Sequence, residues 1–228
     1  MIITIDGPAG AGKSSVSKKA AAKLGLNFLD TGALYRALAY ALDKNGIPPI
    51  PGDKLDEELE KLEIQLSDGM VLVNGTDVSK EIRSPHADRI VSPYSALPQL
   101  RARLLNLQRR QAAFGKGIVA EGRDIGSVVF PEADVKIFLT ASAEERATRR
   151  YKERLAKGEA AQYDEILLSV KERDRIDSER ETAPLVKPEG AHLIDSSHMS
   201  EQQVVDEIVS IAIKNNAQFT MHTLKGIT

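Results

Sequence analysis

The chain has 228 residues, a formal net charge of −2 and no cysteine, with 42% hydrophobic and 28% charged residues. That is the balance of a soluble globular protein, long enough for one α/β domain carrying an insert. Disulfides, thiolate nucleophiles and Cys-ligated metals are excluded, and the small net charge supplies no global field for nucleic acid. No apolar run reaches the roughly 18 residues of a membrane span, and the opening M-I-I-T-I-D-G lacks the basic segment of a signal peptide. The expected setting is the cytoplasm and the expected state a monomer.

Residues 2–5 are apolar and mostly β-branched, which predicts a buried strand entering the turn Asp6-Gly7-Pro8. Val16, Ala20 and Leu24 then recur at helical spacing, with Gly25 placed to end the helix. Residues 27–29 read as a second strand. Thr31 reads as the cap of a helix that carries Leu34, Leu38 and Leu42 and stops at Asn45-Gly46. Residues 47–53 hold three prolines and a glycine, which predicts a linker. The pattern then changes to a helix over 55–62 and short runs at 64–66, 71–73 and 77–78, with the hairpin signal Asn74-Gly75 between the last two. This antiparallel piece is expected as an insert over 47–85 in a core over 1–46 and 86–214. Leu97, Leu100, Leu104 and Leu107 form the next helical stripe. Strands follow at 117–120 and 135–139, then a helix lined by Ala143, Ala147, Tyr151 and Leu155, a helix over 164–180, a strand at 192–194 and a helix to about 214. Residues 215–228 are polar and aperiodic and are expected as a tail. Strands alternating with helices imply a parallel sheet covered on both faces, with ligands at the carboxyl ends of the strands.

Gly7-Pro8-Ala9-Gly10-Ala11-Gly12-Lys13-Ser14 satisfies G-x-x-x-x-G-K-[ST] between a strand and a helix. Such glycines turn backbone N–H groups inward, and the helix N-terminus adds its dipole. Lys13 suits the β- and γ-phosphates of a nucleotide; Ser14 suits the Mg²⁺ that accompanies them. The loop alone does not separate kinase, ATPase and GTPase, but no N-K-x-D guanine reader is present. The strand at 118–120 ends in Glu121, as a motor's acid would, yet Gly122-Arg123-Asp124 follows. An arginine there suits an acceptor's anion better than the placing of a water. Arg36 lies one turn into the helix that follows Thr31. Arg173, Asp177 and Arg180, at spacings of four and three, share a helix face that continues Ile166 and Val170. That face is either a solvated ion-pair ladder or the wall of a cleft, and Arg36 and Arg123 favour a clamp for a second phosphorylated substrate. Arg146, Arg149, Arg150 and Arg154, ahead of Gly158, read either as a cationic lid over ATP or as a basic surface helix.

I-D-G-P-A-G-A-G-K-S at 5–14, L-D-T-G-A-L-Y-R at 29–36, E-G-R-D-I-G at 121–126, V-V-F-P at 128–131, K-I-F-L-T-A at 136–141 and K-E-R-D at 171–174, with Asp177 and Arg180, resemble the bacterial cytidylate kinases. The likeness runs from about residue 1 to 214. It implies an α/β P-loop NTPase three-layer fold with a central parallel sheet, an inserted NMP-binding subdomain at 47–85 and a short helical lid at about 150–165. It also implies transfer of the γ-phosphoryl group of ATP, with Mg²⁺, to CMP or dCMP. By position, Gly7 to Ser15, including the extra hydroxyl of Ser15, would hold ATP together with Arg150. Thr31, Ser92, Arg101 and Asp124 would read the cytosine; Asp124 would accept from its amino group, where uracil presents a carbonyl. Arg173 and Asp177 would hold the ribose, and Tyr35 would pack beside the acceptor. Arg36, Arg123 and Arg180 would clamp its phosphate, with Lys13, Arg123 and Arg180 acting on the transferring group. Asp30 would either hold Mg²⁺ through water or cap the following helix. The expected partners are ATP and CMP or dCMP, without nucleic acid or membrane. Two other readings stay open: a P-loop kinase for UMP, AMP or shikimate, and a nucleotide-binding regulator without catalysis.

Overall fold

A computed structural model describes residues 1–67, 69–113 and 115–215. In chain order the elements are β1 (Ile2–Asp6), α1 (Lys13–Leu24), β2 (Asn27–Asp30), α2 (Thr31–Lys44), α3 (Asp53–Lys61), β3 (Ile64–Ser67), β4 (Met70–Val73) and β5 (Thr76–Asp77). There follow α4 (Pro85–Ser95), α5 (Pro98–Gln111), β6 (Ile118–Gly122), β7 (Val135–Thr140), α6 (Ala143–Ala156), α7 (Tyr163–Glu179), β8 (His192–Asp195) and α8 (Glu201–Asn215). Asn215 closes α8, and the expected tail over 216–228 lies outside the described residues.

The chain divides into two compact units. The first holds Met1–Leu29, Gln111–Glu179 and the stretch from Ala183 on. Its sheet has the order β2-β6-β1-β7-β8, and β1 runs parallel to both β6 and β7. Because side chains alternate along a strand, Ile3 and Ile5 of β1 enter one core. There they join Val16, Ala20 and Leu24 of α1 and Val204, Val205 and Ile208 of α8. Thr4 and Asp6 therefore face the opposite side of the sheet, and both are fully buried. Gly25 ends α1 in the left-handed conformation, as its position in the sequence predicts. α6 and α7 join through Ala147, Ile166 and Val170.

The second unit holds Asp30–Arg110 and Arg180–Thr182. Leu34, Leu38 and Leu42 of α2 are fully buried in it. β3, β4 and β5 form a small antiparallel sheet, and Asn74 and Gly75 turn between β4 and β5 at φ 48° and 77°, the backbone a tight hairpin requires. Of the two caps the sequence offers for α2, Asp30 rather than Thr31 serves, its side chain accepting from the Ala33 N–H. A carboxylate one residue earlier reaches that N–H, while Thr31 already has helical geometry and is buried. A helix without a sequence expectation is α4, capped by Ser84 with Pro85 in the first turn; it buries Ala87, Val91 and Tyr94 at spacings of four and three.

Candidate active site

In the first unit, β1 delivers the chain to the glycine loop. Gly7 has φ 150°, and a Cβ there would stand 1.9 Å from the Leu139 carbonyl oxygen of β7, so the loop meets the sheet only without a side chain. Gly12, at φ 90°, opens α1. Lys13 comes next and is 6% exposed; its Nζ donates to the carbonyls of Gly7 at 2.9 Å and Pro8 at 2.8 Å. Burial, then the nearby Arg123 and Arg173, push this ammonium down to about 7 against the pull of Glu121 and Asp177. Two of the four arginines singled out in the sequence, Arg123 and Arg173, therefore lie within electrostatic reach of the loop lysine. Ser14 and Ser15 are exposed at the start of α1.

Two arginines of α6 brace the loop. Arg146 is 4% exposed; it donates to Ala9 O at 3.0 Å and Ala141 O at 3.0 Å, and grips both Asp174 oxygens at 2.9 and 2.6 Å. Arg149 donates to Ala11 O and to Ser196. The sequence offers these two as lid or surface cations; in the fold they are committed to backbone carbonyls and neighbouring side chains. Arg150 is half-buried on the same helix.

β6 ends in buried Glu121 and Gly122, and Arg123 donates its Nε to Asp177 Oδ2 of α7 at 2.8 Å. Burial disfavours the guanidinium's charge, but Asp177, with Glu121 and Asp174, outweighs it and holds Arg123 protonated. Asp124 is 3% exposed and precedes a wide helical turn over Ile125–Val129. Beneath that turn, both Asp6 oxygens accept backbone N–H groups, from Ile125 at 2.7 Å and from Gly126 at 2.7 Å. On α7 the stripe of buried Ile166 and Val170 does turn ionic without leaving its face: Arg173 is half-buried and Asp177 buried.

In the second unit, Asp30 caps α2 through one oxygen. Through the other it meets Arg36 Nη2 at 3.3 Å and Arg83 Nη2 at 3.7 Å. Gly32 belongs to this arrangement, since a Cβ there would lie 3.2 Å from Asp30 Oδ1 and 3.4 Å from Arg36 Nη1. Arg101 stacks its guanidinium 5.3 Å from the Tyr35 ring centre and donates to Ser95 O at 3.1 Å. Arg101, Ser92, Thr31 and Tyr35 are all buried, unlike an ordinary surface turn or a solvated helix arginine. Arg180 follows α7 and is 9% exposed. Sequence reading passed over Asp6, Asp174 and Arg83. Asp6 stands inside the quoted glycine-loop string and Asp174 inside K-E-R-D, but their partners are far along the chain and no spacing signals them.

Among the described residues no cluster of three or more His, Asp or Glu side chains is gathered to hold a metal. Mg²⁺ keeps waters and substrate oxygens and takes few protein ligands, and the exposed Ser14 hydroxyl at the start of α1 would supply one.

A parallel sheet whose central strand runs through a glycine loop to a buried lysine, with Arg123 and Arg173 within electrostatic reach of it, defines a P-loop phosphotransferase. The family model for cytidylate kinase matches residues 3–214. The chain is 46% identical over 213 residues to a cytidylate kinase of Caldanaerobacter subterraneus subsp. tengcongensis, covering 93% of this chain and 95% of that one. It is 46% identical over 220 residues to a cytidylate kinase of Carboxydothermus hydrogenoformans, covering 95% and 99%. Among solved structures, an uncharacterized protein from Eubacterium ventriosum superposes with a TM-score of 0.52 at 14% identity, over 92% of this chain and 96% of that one, a likeness of fold alone. The chain belongs to the cytidylate kinase family.

Proposed function

We propose that the protein transfers the γ-phosphoryl group of ATP to CMP, and to dCMP, giving ADP and CDP or dCDP. The observation that carries this reading is a glycine loop that holds buried Lys13 by its own Gly7 and Pro8 carbonyls, in the same unit as Arg123, which Asp177 orients at 2.8 Å. A regulator needs one phosphate site, whereas a phosphoryl transferase needs a second cationic set near the first. Phosphoryl transfer asks mainly for positioning and charge stabilisation. The residues of the loop would hold the triphosphate, with Lys13 on its outer oxygens and Ser14 on the Mg²⁺; that ion, when bound, would neutralise phosphate charge. Arg123 would meet the acceptor phosphate, oriented by Asp177, and Arg173 with Asp177 would hold the ribose. Asp124 would accept from the cytosine amino group. In the second unit Thr31, Tyr35, Arg36, Ser92, Arg101 and Arg180 are assigned to the acceptor, and Arg150 in the first to ATP. The acceptor phosphate is largely ionised at neutral pH, so no general base is needed.

We further take residues 47–85 as the subdomain that serves the acceptor, residues 150–165 as the lid, and the protein as a cytoplasmic monomer. The absence of cysteine suits a reducing compartment. No described helix is long and apolar enough to cross a membrane. ADP formation from MgATP, followed with CMP, dCMP, UMP, AMP, GMP and shikimate in turn, tests the reading. Turnover confined to CMP and dCMP supports it. Turnover with another acceptor overturns the cytosine assignment, and ATP binding without turnover on any acceptor favours a regulator.

A further inference from the structure

The strand that leads into the glycine loop also reaches the other half of the chemistry. Asp6 is the last residue of β1, fully buried, on the face opposite Ile5. It lies between β6 and β7, in register with Gly122 and Phe138. A carboxylate at such a depth needs its oxygens satisfied, and Asp6 uses each on one amide, of Ile125 and of Gly126, across 119 and 120 residues. Those amides follow Arg123 and Asp124 directly. The fit is close: a Cβ on Gly126 would stand 2.7 Å from Thr4 Oγ1 and 3.2 Å from Asp6 Oδ2. One end of the 123–126 segment is thus fastened by the two Asp6 bonds, and its start by the Arg123–Asp177 pair at 2.8 Å.

We propose that Asp6 is a positioning residue for acceptor recognition: its two carboxylate oxygens hold the Ile125 and Gly126 amides and thereby set the direction of Arg123 and Asp124. This rests on the assignment of Arg123 and Asp124 to the acceptor. Asp6 touches neither substrate and acts through the segment it pins. Asparagine at this position keeps the shape but replaces one acceptor oxygen with an N–H₂ donor, which opposes one of the two amides.

The test compares wild type, Asp6→Asn, Gly126→Ala and Asp124→Ala. Asp6→Asn is expected to raise KM for CMP about tenfold or more and to narrow the preference for CMP over UMP, with KM for ATP within about twofold of wild type. Gly126→Ala, whose methyl would press against Thr4 and Asp6 at the same contact, gives the same pattern if Asp6→Asn folds poorly. An equal rise in both KM values, or a change in neither, overturns the proposal. Amide exchange at Ile125 and Gly126 is read in parallel. Faster exchange in Asp6→Asn is expected, and unchanged exchange overturns the claim that Asp6 holds them. If wild type fails to use CMP, or Asp124→Ala leaves CMP preference intact, the acceptor assignment has failed instead, while the exchange data still report on Asp6.

Discussion

Lys13 is costly to fold around. Its ammonium is buried near Arg123 and Arg173, and burial with their repulsion lowers its proton affinity; Glu121 and Asp177 offset only part of this. Function, not stability, explains its presence. Lys13→Ala should therefore lose about a thousandfold or more in turnover with an unfolding midpoint in urea equal to or above that of wild type; normal turnover would sink its assigned role. Asp6 shows the same tension in the opposite sign. Burial, against the two amides that favour its charge, lifts its carboxyl from the usual 3.8 to about 6, with Asp124 adding to the rise and Lys13 opposing it. The folded chain thus keeps this proton at pH values where the unfolded chain has lost it. The resulting stabilisation is full below the unfolded value and is gone once pH rises past about 6, a loss of about 3 kcal/mol. Urea unfolding at acid and neutral pH should show wild type losing stability relative to Asp6→Asn as pH rises, while turnover with CMP moves the other way. A constant difference between the two proteins would refute this.

At the level of elements, helix α6 is a brace for the glycine loop. Arg146 ties Ala9 O to Asp174 of α7, on the helix that also carries Arg173 and Asp177. Arg146→Ala should cost about 3 kcal/mol, since it leaves a half-buried carboxylate unpaired, and should raise KM for ATP; denaturation and initial-rate kinetics check both. The glycine loop, the Asn74-Gly75 turn and the ionic end of the α7 stripe were legible in the sequence because each is written in neighbouring residues. The brace was not, because Arg146 and Asp174 are 28 residues apart and an arginine-rich helix looks the same whether its cations face water or carbonyls. The cap of α2 was open between neighbours: Asp30 and Thr31 are both good caps by type, and only the backbone decides which reaches Ala33. α4 was missed although Ala87, Val91 and Tyr94 recur at helical spacing, because Pro93 within it reads as a breaker.

For the molecule as a whole, phosphate chemistry is anchored in a unit with its own hydrophobic core, between the strands and helices α1 and α8. A ligand that binds the folded state alone stabilises it by mass action, about 2.7 kcal/mol at a hundred times its dissociation constant. MgATP at that level should raise the melting temperature of wild type by about 5–10 °C and that of Lys13→Ala far less, as read by calorimetry. Equal shifts would place ATP away from the loop. Lys13 begins from a state in which its ammonium is already claimed by the Gly7 and Pro8 carbonyls. A passing anion must outbid two well-placed backbone oxygens, and a lone phosphate or sulfate has little to offer beyond its charge. A polyphosphate brings several oxygens at once and fills the loop's amides in the same act. The loop's hold on its own lysine thus favours polyphosphates over the single inorganic anions around it.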